Sequence, residues 1–596
     1  MQESGSSILR YVVLGIAILG LVYFGYPMVM GGGNGLTQQP LTLANWGTTA
    51  ETDRPKEASC ELDDGRAHFA FSTRGGALTS ARMTEPKYAK SVDKPDTRIE
   101  LVSTSREQRM PLRTSLRVPG EAQQQVDFDN LDFTLESATA SSCTFRHKTA
   151  AVAVTKLVSL SGRPFELDIK VTVQNLASEP KQHRYTIEQT SWHSEKETAV
   201  SFWDLGRRPE WMTDVVTHTD KETTRHLADA YEPGDFGPKN GFTDEHFLRA
   251  PGGGLWAAVS ANYFANAVFH RSGPAQPAAE TLIEDGHFYK LLPGTPGFGH
   301  LYRARLAYPP QELAPNQSAS YESIAYIGPK ERHALAAVGG VDAAKLKAPE
   351  LIDLGMFSFL GKVFVGYVAW LFKAVGSWGV AIALLTITVK IVVFPLQLPS
   401  LKSSIGMRRL KPEIDALTAK YKDDMMQKNL AMQELYRREG IRPILGCLPM
   451  VLQFPVWIAL YQSLGTATEL YHTPFLLPLI PDLTNADPYH VIPIVLGASS
   501  FLQQKLMPMQ GMDPAQAKLM LYMMPTIFTA MMFFLPAGLG VYMLTNTWLG
   551  IVQQLLVESW VKSRLKQPAT IEVREVTKKT DTETPALGKG KVRARG

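Results

Sequence analysis

The 39 consecutive residues from Leu519 to Val557 carry no charged side chain. One helix of that length would run about 58 Å, almost twice the ~30 Å hydrocarbon core of a bilayer. The stretch FFLPAGLG, Phe533 to Gly540, puts Pro and Gly at its middle, where a chain turns. Two membrane helices in a tight hairpin are therefore expected, over 519–535 and 539–559. Other uncharged runs precede them. Pro443–Thr468 and Pro488–Gln504 read as spans over 443–467 and 488–505. Ala374–Leu401 is uncharged except for Lys390 and reads as a span over 376–397. Tyr11–Met30 is a further uncharged run of 20 residues. A cleaved signal peptide would have a shorter apolar core, about 7–15 residues, ending in an AxA-like site. This run ends in Met28-Val29-Met30 and three glycines. A retained anchor with its linker, 1–35, is expected, making six spans.

The average composition, 45% hydrophobic and 20% charged with a net charge of +4, conceals this division. The placement of charge is more informative. Leu398–Arg442 carries ten Lys and Arg, the tail after Val561 carries ten more, and Glu469–Asp487 carries none. The positive-inside rule then puts the first two in the cytoplasm and the third outside. Both termini are expected inside, with a basic cytoplasmic tail over 560–596. Residues 36–350 are expected outside.

That external part reads as all-β. In FELDIKVTVQN, Phe165, Leu167, Ile169, Val171 and Val173 fall on one face and Glu166, Asp168, Lys170 and Thr172 on the other. Strict alternation marks a half-buried strand. AHFAFSTRGGAL and SYESIAYIGP read similarly, so a large antiparallel β-sandwich is expected. It holds no GxSxG, HExxH or phosphate-binding glycine loop. Its scattered His, Asp and Glu are expected at a solvated surface. No Cys/His metal spacing occurs, and no cofactor is expected. Cys60 and Cys143 could pair in an oxidising compartment, although sequence leaves their meeting open; Cys447, in an apolar run, is expected as a packed thiol.

Met356–Lys373 is aromatic-rich, with Lys362 and Lys373. An interfacial amphipathic helix over 351–375 is expected there, since a seventh span would break the charge-derived topology. In the loop 398–442, Met407, Leu410, Ile414, Leu417 and Tyr421 repeat at helical spacing. A second helix, about Asp424–Glu439, would fold back on the first. The expected unit is a charged hairpin, interrupted near Pro412. A solvated connector is the plainer alternative, but so long a loop is commonly functional.

Lys390 is the residue that asks for a function. A cation at the centre of a span costs about 2.5–3.5 kcal/mol on insertion scales. It lies seven residues, about 10 Å, inside Gln397. Snorkelling would carry its ammonium only part of the way out. No neighbouring span offers a carboxylate, and Glu558 is the nearest by depth. A hydrated cavity open to the cytoplasm accounts for it better. Thr386 shares its helix face. Gln453, Ser499, Ser500, Gln503, Thr526, Thr529, Asn546, Gln553 and Gln554 add polar groups on other spans. Interhelical hydrogen bonding is the plain alternative for each of these. Nine of the 21 methionines fall between Met507 and Met543. Such pliant surfaces suit varied apolar partners, although Met also fills gaps in ordinary packing.

WGVAIALLTITVKIVVFPL, RPILGCLPMVLQFPVWIALYQSL, DPYHVIPIVLGASSFLQQKL, MPTIFTAMMFFLPAGLGVYMLTNTWLGIVQQ and STRGGAL follow one another in this chain. In order and content they resemble the YidC family of membrane-protein insertases in its Gram-negative form, over nearly the whole length. The resemblance implies a polytopic α-helical membrane protein of six spans with a five-helix insertase core, and a periplasmic β-supersandwich. It implies a bacterial inner-membrane insertase and chaperone without enzymatic chemistry, working alone or with the Sec translocon. Its implied partners are nascent membrane proteins, and ribosome and signal-recognition machinery at the Leu398–Arg442 loop and basic tail. The implied groove takes in Lys390, Thr386, Gln453, Tyr542 and Met543; from their polarity within the neighbouring spans, Ser499, Gln503, Thr526, Thr529 and Asn546 are expected to line it as well. The apolar slide takes in Met520, Met523, Met524, Met531 and Met532. Two positions depart from the family pattern. Lys390 stands where the groove cation is usually Arg, keeping charge but losing the planar fork. Met543 follows Tyr542 where adjacent tyrosines are common. Two rivals remain from the residues alone. A transporter would bring solute flux and an internal repeat, which is not seen. A membrane-anchored periplasmic enzyme or sugar-binding protein would depend on its sandwich.

Overall fold

The structure, a computed structural model, describes residues 54–105, 107–116, 131–198, 209–227, 231, 247–285, 299–355, 357–421, 424–441, 448–476, 478–506 and 514–564. The expected N-terminal anchor, Cys447 and most of the basic tail lie outside the described residues.

Strands occupy Ser59 to Pro329. The larger sheet has nine antiparallel strands, in spatial order Thr223–His226, Asp214–Thr219, Gly254–Ser260, Phe264–Ser272, Ser318–Pro329, Glu166–Asn175, Val152–Leu160, Ser142–Lys148 and Thr134–Ala138. A five-stranded sheet runs Leu248–Arg249, Ala278–Asp285, Gly299–Ala307, Thr186–Ser194, Thr114–Ser115. The two pack together over a shared apolar core that includes Trp256, Val268, Leu306 and Ile324. A three-stranded sheet, Ser59–Asp63, Ala67–Ser72 and Leu78–Met83, adds Leu62, Phe69 and Phe71 to that core.

The strand Glu166–Asn175 obeys its alternation on the apolar side, with Leu167, Ile169, Val171 and Val173 all buried. The polar side holds an exception. Glu166 is 1% exposed, because it receives Arg163 Nε at 2.8 Å and the Gly339 N–H at 3.2 Å. A carboxylate goes inside only when its acceptor sites are filled.

The expected solvated surface fails most clearly on the five-stranded sheet. Arg303 bonds Glu188 (3.0 Å) and Glu284 (2.8 Å), Arg305 bonds Glu280 (2.8 Å), and Arg249 reaches Glu280 at 2.7 Å. Phe247 lies over the Arg305 guanidinium, 3.5 Å from ring centre to Cζ. Glu280 and Glu284 are on one strand, and Arg303 and Arg305 on its neighbour. Pairing across the ladder lets the charges neutralise one another while buried. Alternation cannot tell such a face from a solvated one.

Cys60 and Cys143 are joined by a disulfide, with Cα atoms 6.2 Å apart, both inside the core. It ties the three-stranded sheet to the nine-stranded one across 83 residues of sequence. Near it, Lys156 is fully buried and donates to the carbonyls of Gly76 (2.8 Å) and Leu112. Gly76, in the STRGGAL turn, has φ +58°, and its added Cβ would meet Lys156 Cδ at 3.0 Å. The turn thus needs glycine for both its dihedral and its space.

The long helices follow Pro329. We label them α1 (Ser358–Val375), α2 (Trp378–Arg409), α3 (Lys411–Lys420), α4 (Met425–Arg438), α5 (Leu448–Thr466), α6 (Val491–Leu506), α7 (Pro514–Met532) and α8 (Ala537–Arg564). Among the described residues, Ser358–Val375 and Trp378–Ser400 are long and apolar enough to cross a membrane. The first is the segment read as interfacial. It buries Phe364, Val365, Val368 and Leu371 and packs against α2 and α5, leaving Phe359 and Trp370 exposed. α2 does not stop at 397. It continues through Pro395 and Pro399 to Arg409.

α2 gives way to α3 at Leu410, two residues before Pro412. Asp424 caps α4, accepting from the N–H groups of Met426 (3.1 Å) and Gln427 (2.9 Å). Leu410, Ile414, Met432 and Leu435 form the buried seam of this α3–α4 hairpin. The break puts Met407 on α2 and Tyr421 at the end of α3, so the five-residue seam read from spacing is shared among elements. α7 ends at Met532, just before FFLPAGLG, and α8 begins inside it at Ala537. By compactness the chain divides at Ile551, within α8.

Replacing both Cys60 and Cys143 by Ala should lower the stability of the β part by about 2–4 kcal/mol, the usual worth of a native disulfide closing a long loop. Denaturant unfolding followed by far-ultraviolet circular dichroism reads this. Lys156 gives a pH test. Burial, with Arg113 nearby, pushes its pKa down to about 7. An unfolded Lys holds its proton to about pH 10.4, so between about 7 and 10 the unfolded chain binds more protons. This group therefore makes stability rise with pH through that window; below it both states hold the proton and the group adds no pH dependence. Lys156→Met should flatten that part of the curve of denaturation midpoint against pH.

Candidate functional site

α2 carries the two leading candidates. Its apolar stripe Ala381, Ile382 and Leu385 packs inward, and Thr386 is buried with it at 1% exposure. The Thr386 hydroxyl donates to the Ile382 carbonyl at 2.8 Å, one turn back on its own helix. Ile391, Val392 and Leu396 point away and are exposed. Lys390 is half-buried, at the seam between the packed and open faces. Among the described residues no carboxylate pairs with its ammonium.

Gln453, on α5, donates its Nε2 to the Tyr542 hydroxyl on α8. Tyr542 is 1% exposed, while Met543 and Asn546 are half-buried. On α6, Ser499 is buried and donates to the Val495 carbonyl at 2.7 Å, and Ser500 is half-buried. On α7, Thr526 donates to the Tyr522 carbonyl at 2.6 Å and Thr529 to the Pro525 carbonyl at 2.7 Å; Thr526 is exposed. Each hydroxyl has spent its proton on its own helix, so each remains available only as an acceptor.

Glycines bring these helices close. A Cβ at Gly497 would strike the Thr529 hydroxyl, and one at Gly550 would strike the Gln503 amide. At Gly540 it would meet Ile492 Cγ2 at 2.6 Å. These contacts join α6 to α7 and to α8. Sequence reading singled out Thr529 and Gln503 as groove polar groups and passed over the glycines beneath them. Small residues in apolar helices were the available signal. Gln553 and Gln554 lie on α8.

The methionines do not form one surface. Met523 is exposed, Met524 and Met531 are half-buried, and Met532 is 2% exposed in the core formed with Leu535, Leu539 and Tyr542. Met523 and Met532 are nine residues apart, which puts them on opposite sides of α7. The Met520 side chain lies outside the described residues.

Comparison with known families matches residues 60–367 to the YidC periplasmic domain and residues 370–564 to the 60Kd inner membrane protein family. The chain belongs to the YidC family of membrane protein insertases. The membrane protein insertase YidC of Anaeromyxobacter sp. (strain K) is 34% identical over 504 residues, covering 82% of each chain. YidC of Nitrosococcus oceani is 39% identical over 324 residues, 54% of each chain. Among solved structures, an active YidC insertase with its first transmembrane domain resolved is similar, with 17% identity and a TM-score of 0.37. That match covers 92% of this chain and 99% of the other. YidC membership accounts for the order of the parts, a β domain followed by an apolar helical region.

Tyr542→Phe removes the acceptor of the Gln453 amide and should cost about 0.6–2 kcal/mol, the range for interhelical hydrogen bonds in membranes. Tyr542→Ala also opens a cavity and should cost more. Thermal unfolding in detergent ranks the two.

Proposed function

We propose that this chain is an inner-membrane insertase and chaperone for newly made membrane proteins, acting through a hydrophilic, positively charged groove. The reading takes six spans with both termini in the cytoplasm and residues 36–350 in the periplasm. Lys390 carries it: a cation on an apolar helix, half-buried, with no carboxylate partner among the described residues. A hydrated groove removes most of the cost of that charge.

No bond is made or broken. An extracytoplasmic segment of substrate, often acidic, enters the groove and is attracted to Lys390. The low-dielectric distance it must cross is thereby shortened. The apolar segment passes the exposed side of α7, where Met523 stands, into lipid. Its burial contributes about 25 cal/mol per Å². Lys rather than Arg at 390 attracts a carboxylate but does not clasp it with two parallel bonds. The α3–α4 hairpin and basic tail are the proposed contacts for ribosome and targeting machinery, and the Sec translocon is the proposed partner in the membrane. Phosphate contacts with ribosomal RNA are the proposed mode for the basic tail.

Thr386 is too enclosed to carry a probe, so a photocrosslinker belongs at Met523. Ribosomes stalled on a short single-span protein, presented to vesicles holding this chain, should give a crosslink to the nascent apolar segment. No crosslink from a verified, loaded ribosome would count against the path. Lys390→Ala should lower insertion of acidic-tailed substrates about tenfold or more, and Lys390→Arg should retain it. Unchanged insertion of every acidic-tailed substrate in Lys390→Ala would remove the lysine from the mechanism.

A further inference from the structure

By sequence, the loop Glu469–Asp487 is notable only for having no Lys or Arg. In the structure its first residues leave the helices and enter the β domain. Tyr471 is 2% exposed and belongs to the hydrophobic core of the sandwich, not to that of the helices. Its ring centre lies 4.9 Å from that of Tyr263, 5.7 Å from Phe264 and 6.1 Å from Tyr88. Its hydroxyl donates to Glu210 at 2.7 Å. Polar contacts surround this anchor. Asn262 Nδ2 donates to the Gly465 carbonyl (3.1 Å) and Thr468 Oγ1 to the Tyr263 carbonyl (3.3 Å). Lys87 Nζ donates to the Glu469 carbonyl at 3.1 Å, and the Arg332 N–H to the Glu469 carboxylate at 3.3 Å. A buried aromatic ringed by hydrogen bonds is the arrangement that carries most of the energy in protein–protein contacts.

The far end of the loop holds α8. The first amides of a helix have no acceptor within it. Here the Ala537 N–H donates to the Asn485 carbonyl and the Gly538 N–H to the Leu483 carbonyl, both at 2.8 Å. Leu483 in turn donates its N–H to the Thr473 carbonyl at 2.9 Å, two residues from Tyr471. Gly538 is one turn before Tyr542, which receives Gln453. An unbroken series of contacts therefore runs from the sandwich core through Tyr471, Thr473, Leu483 and Gly538 to the Tyr542–Gln453 pair.

We propose that the 467–487 loop is a coupling arm: Tyr471 seated in the sandwich holds the loop, the loop holds the N-terminal turn of α8, and the state of the periplasmic domain thereby biases the helix that carries Tyr542. The coupling needs no substrate, so it stands or falls separately from the insertase reading.

Spatial continuity alone does not establish coupling, so the arm must be loosened at one end and read at the other. The full chain in liposomes is compared with its Tyr471→Ala variant by hydrogen–deuterium exchange and mass spectrometry. Tyr471→Ala should speed exchange about tenfold or more in the loop and at Ala537 and Gly538, and leave the Glu166–Asn175 strand unchanged. Tyr471→Phe, which keeps the ring but loses the bond to Glu210, should raise exchange at Ala537 and Gly538 about fivefold, less than Tyr471→Ala. Faster exchange confined to the loop would overturn the proposal, as would no change anywhere. An equal rise in Glu166–Asn175 would also overturn it, since Tyr471 would then be a general support of the sandwich. If Tyr471→Ala does not accumulate, Glu210→Ala removes the acceptor of the Tyr471 hydroxyl while keeping the ring. It should raise exchange at Ala537 and Gly538 about fivefold, and an unchanged rate there overturns the proposal equally.

Discussion

A polar group without a partner is costly wherever water is excluded, and that one constraint shapes both halves of this molecule. In the apolar helices Thr386, Ser499, Thr526 and Thr529 turn their hydroxyl protons back onto carbonyls one turn earlier. Gln453 instead bonds across to Tyr542 on another helix. In the sandwich the same rule drives Glu188, Glu280 and Glu284 to Arg303, Arg305 and Arg249, and leaves Lys156 held by two backbone carbonyls. Lys390 stands apart because it is half-buried with no carboxylate partner among the described residues. In the groove proposed here, water would serve as the ligand for its charge.

The two halves meet through side chains that belong to different solvents. Tyr471 leaves a loop between apolar helices and completes an aromatic cluster in the β domain. Aromatic rings suit that position, since one end is apolar and the hydroxyl can find a carboxylate. Burial and the nearby Glu210 push its pKa upward, so Tyr471 is the neutral donor to Glu210 across the physiological range.

Much of the architecture was legible in advance, for physical reasons that differ by region. Alternation in Phe165–Val173 exposes a strand because the side-chain period of a strand is two and one face must leave water. The uncharged run around Pro536 exposes a break between two helices because Pro and Gly fall at its middle, where α7 ends and α8 begins. Segments such as STRGGAL, in order along the chain, carried the family. The buried state of Glu166 and Glu280 was not legible. Glu166 meets Arg163 close by in sequence but also the distant Gly339, and Glu280 meets Arg305 on a neighbouring strand; an outward-facing position in a strand reads the same whether water or another layer covers it.

The candidate site divides along the same line. Sequence by itself determined which helices are apolar, that Lys390 lies within one of them, and which polar residues share its neighbourhood, because hydrophobicity and helical spacing are local properties. Only the tertiary structure decided which of those residues face a partner. It enclosed Thr386, tied Gln453 to Tyr542, sent Met523 and Met532 to opposite sides of α7, and drew Tyr471 out of the helical region into the sandwich. Those outcomes depend on how closely helices approach at Gly497, Gly540 and Gly550 and on which loop reaches which core. Such distances are set by packing between residues far apart in the chain, and no local pattern records them.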